Sequence, residues 1–164
     1  MSETVEEAKS GDDKSIGLVL ADFLPYRIVA LARLISRRLS QAYEGENITI
    51  PEWRVLAVVS QADAMAARDV VALTPMDKMA VSRAVSSLET KGLVRRRPDA
   101  GDRRVYTLAL SPEGRLLFNR IARLAKDYEA RILAGFTDEE IASFKDALSR
   151  LQSSVETVGD AASK

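Results

Sequence analysis

The chain of 164 residues contains no cysteine and no histidine, and aromatic residues make up only 5% of it. Without thiols there is no disulfide, no thiol redox sensor and no cysteine nucleophile, and without imidazole there is no Ser-His system and no His-bound zinc. An enzyme built on this chain would have to work with carboxylates, Lys, Ser or Tyr. No cluster of acid, base and nucleophile falls at a recognisable spacing, so no catalytic residue, metal or cofactor is expected. No apolar run approaches the roughly 18 residues that a bilayer span requires. The N-terminal stretch MSETVEEAKSGDDKS is acidic and lacks the apolar core of a secretory signal. The expectation is a cytoplasmic protein with no membrane partner.

What is present describes a globular chain: 46% hydrophobic and 29% charged residues, at the size of one ordinary domain. The formal net charge is zero, yet the charges are segregated. Lys78, Arg83, Lys91, Arg95, Arg96, Arg97, Arg103 and Arg104 face only Glu89, Asp99 and Asp102 within one 27-residue stretch, giving that stretch +5 and the remainder −5. A local basic segment on a neutral protein implies a directed electrostatic face rather than general adhesion to polyanions.

Periodicity and punctuation divide the chain further. Residues 1–21 mix acids, Gly and Ser without periodicity and are expected to form a flexible acidic tail. Apolar residues at three- and four-residue steps from Phe23 to Ala42 predict a long amphipathic helix, opened by Asp22 with Pro25 in its first turn and closed at Gly45. Thr49-Ile50-Pro51-Glu52 spells a capping box that opens a second helix reaching to about Gln61. A short third helix, 66–73, is stopped by Thr74-Pro75, because a residue before proline is pushed out of the helical region. Asp77 caps a fourth helix that buries Val81, Ala84, Val85 and Leu88 and ends at Gly92. Met79, Ser82, Arg83, Ser86, Ser87 and Thr90 are assigned to its opposite, polar face.

Two helices joined by a tight turn, the second with a hydroxyl-rich outer face, read as a helix-turn-helix. Two strands follow, 93–97 and 105–110, joined by the turn residues Pro98-Asp99-Ala100-Gly101-Asp102, so a basic hairpin forms a wing behind the fourth helix. Ser111-Pro112 opens a fifth helix ending near Gly135, and a second capping box, Thr137 to Glu140, opens the last. The fold class is therefore mainly α with a small β wing: a winged helix-turn-helix lobe over 49–111, with long helices in 22–48 and 112–164. The apolar stripes of those terminal helices exceed what one small lobe covers, which predicts that they form a homodimer interface through residues such as Ile28, Leu31, Ile141, Phe144, Leu148 and Leu151.

In this order and at these spacings, Glu52 to Leu56, Asp77 to Arg83, Leu88 to Val94, Asp102-Arg103-Arg104 and Leu110 to Gly114 resemble the MarR (multiple-antibiotic-resistance-regulator) family of transcriptional regulators. The resemblance covers about residues 22–156. It implies a homodimer with interlocked first and last helices, two winged lobes on a palindromic operator in double-stranded DNA, and a small-molecule effector, in relatives an aromatic or anionic compound. The chain departs from the family at Thr74-Pro75-Met76, where a Gly-containing turn is usual, and at Met79, where a small residue or proline is usual.

Each candidate site residue has a chemical reason. Lys78, Arg97 and Arg104 would neutralise phosphates and release counterions. Arg83 can fork onto the O6 and N7 of guanine, with Met79, Ser82, Ser86 and Ser87 beside it. Arg103, near the wing tip, would enter the minor groove, and Asp102 would hold Arg103 or Arg104 by a charge-assisted hydrogen bond; the plainer role for Asp102 is turn formation. Tyr26, Arg27, Trp53 and Arg54 are candidates for an effector pocket, although Trp53 among Val55, Leu56 and Val58 also reads as core. With Cys and His absent, oxidant sensing through thiols and zinc sensing through imidazole are excluded, leaving a small organic effector. The functional expectation is a DNA-binding regulator, acting as a repressor. The alternative is a winged-helix module for protein contact or dimerisation without DNA binding, and the basic stripe disfavours it because a protein interface favours aromatic anchors.

Overall fold

The computed structural model of the chain describes residues 17–98 and 106–161. The wing-tip loop with Asp102, Arg103 and Arg104, and the first sixteen residues of the expected tail, lie outside the described residues. The chain divides into two units, residues 1–35 and 36–164. Helix α1, Leu24–Ala42, runs across the division. In the first unit it is preceded by a turn in which the Asp22 N–H donates to the Val19 carbonyl at 3.0 Å. Asp22 is thus in the turn and not at the cap: the Phe23 carbonyl takes the first helical bond, from the Arg27 N–H at 3.1 Å. Leu24, Tyr26, Val29, Leu31 and Leu34 are all exposed on α1.

The second unit holds the core. A short 3-10 turn, Glu44–Glu46, precedes α2, Ile50–Val59, whose capping box is formed as its sequence dictates. Strand β1, Met65–Ala66, leads into α3, Ala67–Ala72, and α4 spans Lys78–Thr90. Strands β2, Val94–Pro98, and β3, Tyr106–Leu110, are antiparallel, with Arg96 opposite Leu108 and Arg97 opposite Thr107. The sheet has three strands, ordered β1-β3-β2, where the sequence predicts two. Met65 and Ala66 pair with Leu108 and Thr107. Two residues are too few to show an alternating pattern, so Ala66 reads as helical in sequence and proves to be sheet.

Val55, Leu56, Val59, Val70, Val81, Val85, Leu88, Val94, Leu108, Leu117 and Ile121 form one buried cluster joining α2, α3, α4, the sheet and α5. Each such side chain contributes roughly 1.5–3 kcal/mol by leaving water. Thr74 ends the α3 segment from inside this core, its hydroxyl donating to the Val70 carbonyl at 2.9 Å. Helix α5, Pro112–Leu133, is capped by Ser111, which accepts from the Gly114 N–H at 2.9 Å. Helix α6, Asp138–Ala161, starts from the Thr137–Glu140 capping box. No helix among the described residues is long and apolar enough to cross a membrane.

Candidate nucleic-acid interface

The fourth helix is positioned from three sides. At its start the Asp77 carboxylate accepts from the Ala80 N–H at 2.7 Å, satisfying one of the helix's orphan donors. Along its length Val81, Ala84, Val85 and Leu88 are buried against the core. At its end the Gly92 N–H donates to the Glu89 carbonyl and the Leu93 N–H to the Leu88 carbonyl, both at 2.9 Å. This is the paired closure in which the residue after the cap takes a left-handed conformation, and Gly92 has φ +71. The helix is therefore fixed by a side-chain cap at its start and by backbone hydrogen bonds at its end.

The opposite face is open. Lys78, Met79, Ser82, Arg83, Ser86 and Thr90 are exposed, and Met79 retains 64% of its accessible surface. Positions 79, 82, 83 and 86 follow the i, i+3, i+4, i+7 pattern and form one continuous stripe. Arg95, Arg96 and Arg97 are exposed on β2 immediately after the helix. Among the described residues no ion pair engages Lys78, Arg83, Arg95 or Arg97.

Three of the basic or polar residues of this segment are turned to structural use. Ser87, assigned from sequence to the outer face, is half-buried, and its hydroxyl donates to Glu52 Oε1 at 2.6 Å. Its position on the flank beside Ala84 brings it against α2, so it does not belong to the exposed stripe. Lys91 Nζ lies 2.8 and 2.9 Å from the two Glu52 oxygens and donates to the Asn47 carbonyl at 2.7 Å. Arg96 Nε donates to both oxygens of Glu89 at 2.9 Å. The charge that the segment presents outward is thus smaller than its sequence count.

Glu52 is the residue whose importance sequence reasoning missed. It completes the capping box at the start of α2, with the Thr49 N–H donating to it at 2.7 Å, and it also receives Ser87 and Lys91 from α4 and its end. Its side chain is 4% exposed. Burial alone would raise the carboxyl, but the hydrogen bonds from Lys91, Ser87 and Thr49 outweigh it and hold the group down to about 2. One carboxylate therefore ties the start of α2 to the last turn and cap of α4.

Tyr26 and Arg27 are exposed on α1. Trp53 is half-buried and stacks on Phe118, with ring centroids 5.8 Å apart and planes at 15°, while its other neighbour Tyr43 lies at 6.0 Å. The indole is thus a packing element between α2 and α5, as its apolar surroundings in sequence indicated. Arg54 is half-buried and donates to the Ser36 hydroxyl at 3.1 Å.

A helix-turn-helix with an exposed polar second helix, backed by a three-stranded sheet with an arginine-rich β2, defines a winged helix-turn-helix DNA-binding fold. Residues 46–105 match the MarR family model. The chain is 26% identical over 144 residues to the HTH-type transcriptional repressor MdtR of Bacillus subtilis, covering 88% of this chain and 92% of that one. A MarR family transcriptional regulator from Silicibacter pomeroyi DSS-3 superposes with a TM-score of 0.73 at 28% identity, over 85% of this chain and 99% of its own. BpsR of Bordetella bronchiseptica, whose DNA binding is regulated by 6-hydroxynicotinic acid, shares the fold with a TM-score of 0.74 at 19% identity, over 83% and 97% of the two chains. The chain is thus similar to MarR-family transcriptional regulators, by the family model over residues 46–105 and by relatives at 26–28% identity over most of its length.

Proposed function

We propose that the protein is a cytoplasmic repressor that binds an inverted-repeat operator as a homodimer and leaves it when a small organic effector binds. The observation that carries the reading is the exposed stripe of α4, in which Arg83 and two serines stand beside the exposed arginines of β2. Phosphate neutralisation by Lys78, Arg97 and Arg104 supplies affinity for any duplex, Arg103 is assigned to the minor groove, and base edges met by Arg83, Ser82 and Ser86 supply the choice of sequence.

Dimerisation is supported by helix α6. Through residue 158 its side chains are exposed except for the half-buried Ile141 and Leu151. Phe144, Leu148, Val155 and Val158 keep 47–69% of their surface. With Ile141 and Leu151 they recur in alternating three- and four-residue steps, the spacing of a helix-helix seam. Such a seam left in water is an association surface, and an obligate interface of about 2,000 Å² or more is expected. Two lobes related by a two-fold axis then demand half-sites about one helical turn, roughly 10 base pairs, apart.

With no thiol or imidazole to act as switch, an aromatic or anionic molecule is the proposed effector, its carboxylate meeting an arginine such as Arg27 on α1 or Arg54 on α2. Linkage requires that the effector bind the DNA-free form more tightly by the factor through which it weakens DNA binding. The test is sedimentation at micromolar concentration, alone and with a duplex selected from random sequence. A dimer alone, and one dimer per inverted-repeat duplex, is expected; a folded monomer that binds a single half-site would overturn the proposal.

A further inference from the structure

We infer that Met79 is a base-reading residue that recognises the methyl group of a thymine in each operator half-site. The inference rests on the DNA-binding reading above and adds to it the identity of a base. Met79 is the second residue of α4, and it keeps 64% of its surface while the stripe around it is hydroxyl and guanidinium. An exposed thioether on that stripe neither neutralises a phosphate nor donates a hydrogen bond to a base. It does no packing work inside the lobe, where Val81, Ala84, Val85 and Leu88 fill the buried face.

The major groove narrows the choice of partner. Its floor is lined with donors and acceptors at every base pair, and the one apolar group it displays is the C5-methyl of thymine. Recognition helices place their N-terminal residues closest to the base edges, which is where Met79 stands. A flexible, polarizable side chain adapts to such a methyl without demanding an exact angle. Met79 and Arg83 are four residues apart, so they lie side by side on the helix surface, about 5–6 Å between Cβ atoms. Successive bases are about 3.4 Å apart along a strand, so the two side chains span one to two base steps. The half-site should therefore hold a thymine within two steps of the guanine that Arg83 forks onto, and the stripe reads a pair of bases with one polar and one apolar contact.

The experiment replaces thymine by uracil, which differs only in lacking the methyl. The operator is selected from random duplexes with the full-length dimer. Each thymine of the selected half-site is then replaced symmetrically by uracil, and binding is measured for the wild type, Met79→Ala and the isosteric but polar Met79→Gln. One thymine is expected whose replacement weakens wild-type binding roughly fourfold per half-site, the worth of one methyl-sized group taken out of water. Both variants should bind the thymine operator more weakly than the wild type and should be indifferent to the same replacement. Circular dichroism of the variants should match the wild type, because Met79 is exposed. If every uracil replacement leaves the wild type unchanged while Arg83→Ala still loses the selected operator, the thymine assignment is wrong and the DNA-binding reading stands. If uracil weakens wild type and variants alike, the methyl is read by another residue and the assignment to Met79 is wrong. If no sequence is enriched, both readings fail together.

Discussion

Replacing Glu52 by alanine is expected to cost about 3 kcal/mol of folding stability, at the upper end of what single substitutions cost. The carboxylate holds the α2 capping box, the Ser87 hydroxyl and the Lys91 ammonium at once, and its removal strands the donors that meet on it. The same magnitude follows from its titration. A carboxyl whose ordinary value is 4.5 and which folding holds down to about 2 is worth about 3 kcal/mol when ionised. The sign is that of a depressed acid: the contribution is fully present above pH 4.5 and is lost as the pH falls through the window from 4.5 to about 2. Glu52→Gln keeps the shape and removes the titration. Urea unfolding at fixed protein concentration should show the wild type losing its advantage over Glu52→Gln across that window, and parallel curves for the two would contradict the role given to this carboxylate.

Gly114→Ala is expected to be comparably damaging for a different reason. A Cβ built on Gly114 would sit 2.0 Å from the Leu93 carbonyl oxygen, and no side-chain rotation relieves a clash with backbone. That carbonyl also accepts the Ser111 N–H at 3.0 Å, so α5 cannot retreat without breaking the bond that seats its own cap. Overpacking of this kind costs roughly 3 kcal/mol or more, which for a chain of this length lowers Tm by roughly 10 °C. Gly135→Ala is the control, since nothing lies within 4 Å of its Cβ position. Thermal unfolding of both variants decides the matter: Gly114→Ala melting with the wild type would show that α5 is not held against the Leu93 carbonyl as described.

Much of the architecture is legible in the sequence because it is written in local chemistry. Thr49 with Glu52, Asp77, Ser111 with Pro112, and Thr137 with Glu140 mark helix starts through side chains that reach only three residues, and all four caps form. The buried face of α4 follows from helical periodicity alone. What sequence could not supply are contacts between residues far apart in the chain. Ser87 and Lys91 meet Glu52 across 35 and 39 residues, so one reads as an exposed serine and the other as part of a basic face until the fold unites them. Strand β1 is defined by its partner β3 and carries no pattern of its own. The start expected at Asp22 falls two residues later, at Leu24, because a hydrogen-bonded turn over Val19 to Phe23 precedes α1.

The division of labour between the α4 stripe and the basic strand is tested most directly by a salt titration of fluorescence anisotropy, on the selected operator and on random duplex, for the wild type, Arg83→Ala and Arg97→Ala. Arg83→Ala should lose roughly 1–3 kcal/mol per half-site on the operator and far less on random DNA, because a guanine contact exists only where guanine is correctly placed. Arg97→Ala should weaken both duplexes alike and flatten the log–log salt slope by about one per subunit, the signature of a lost phosphate contact. Equal losses on the two duplexes for Arg83→Ala would contradict the assignment of sequence reading to the exposed face of α4.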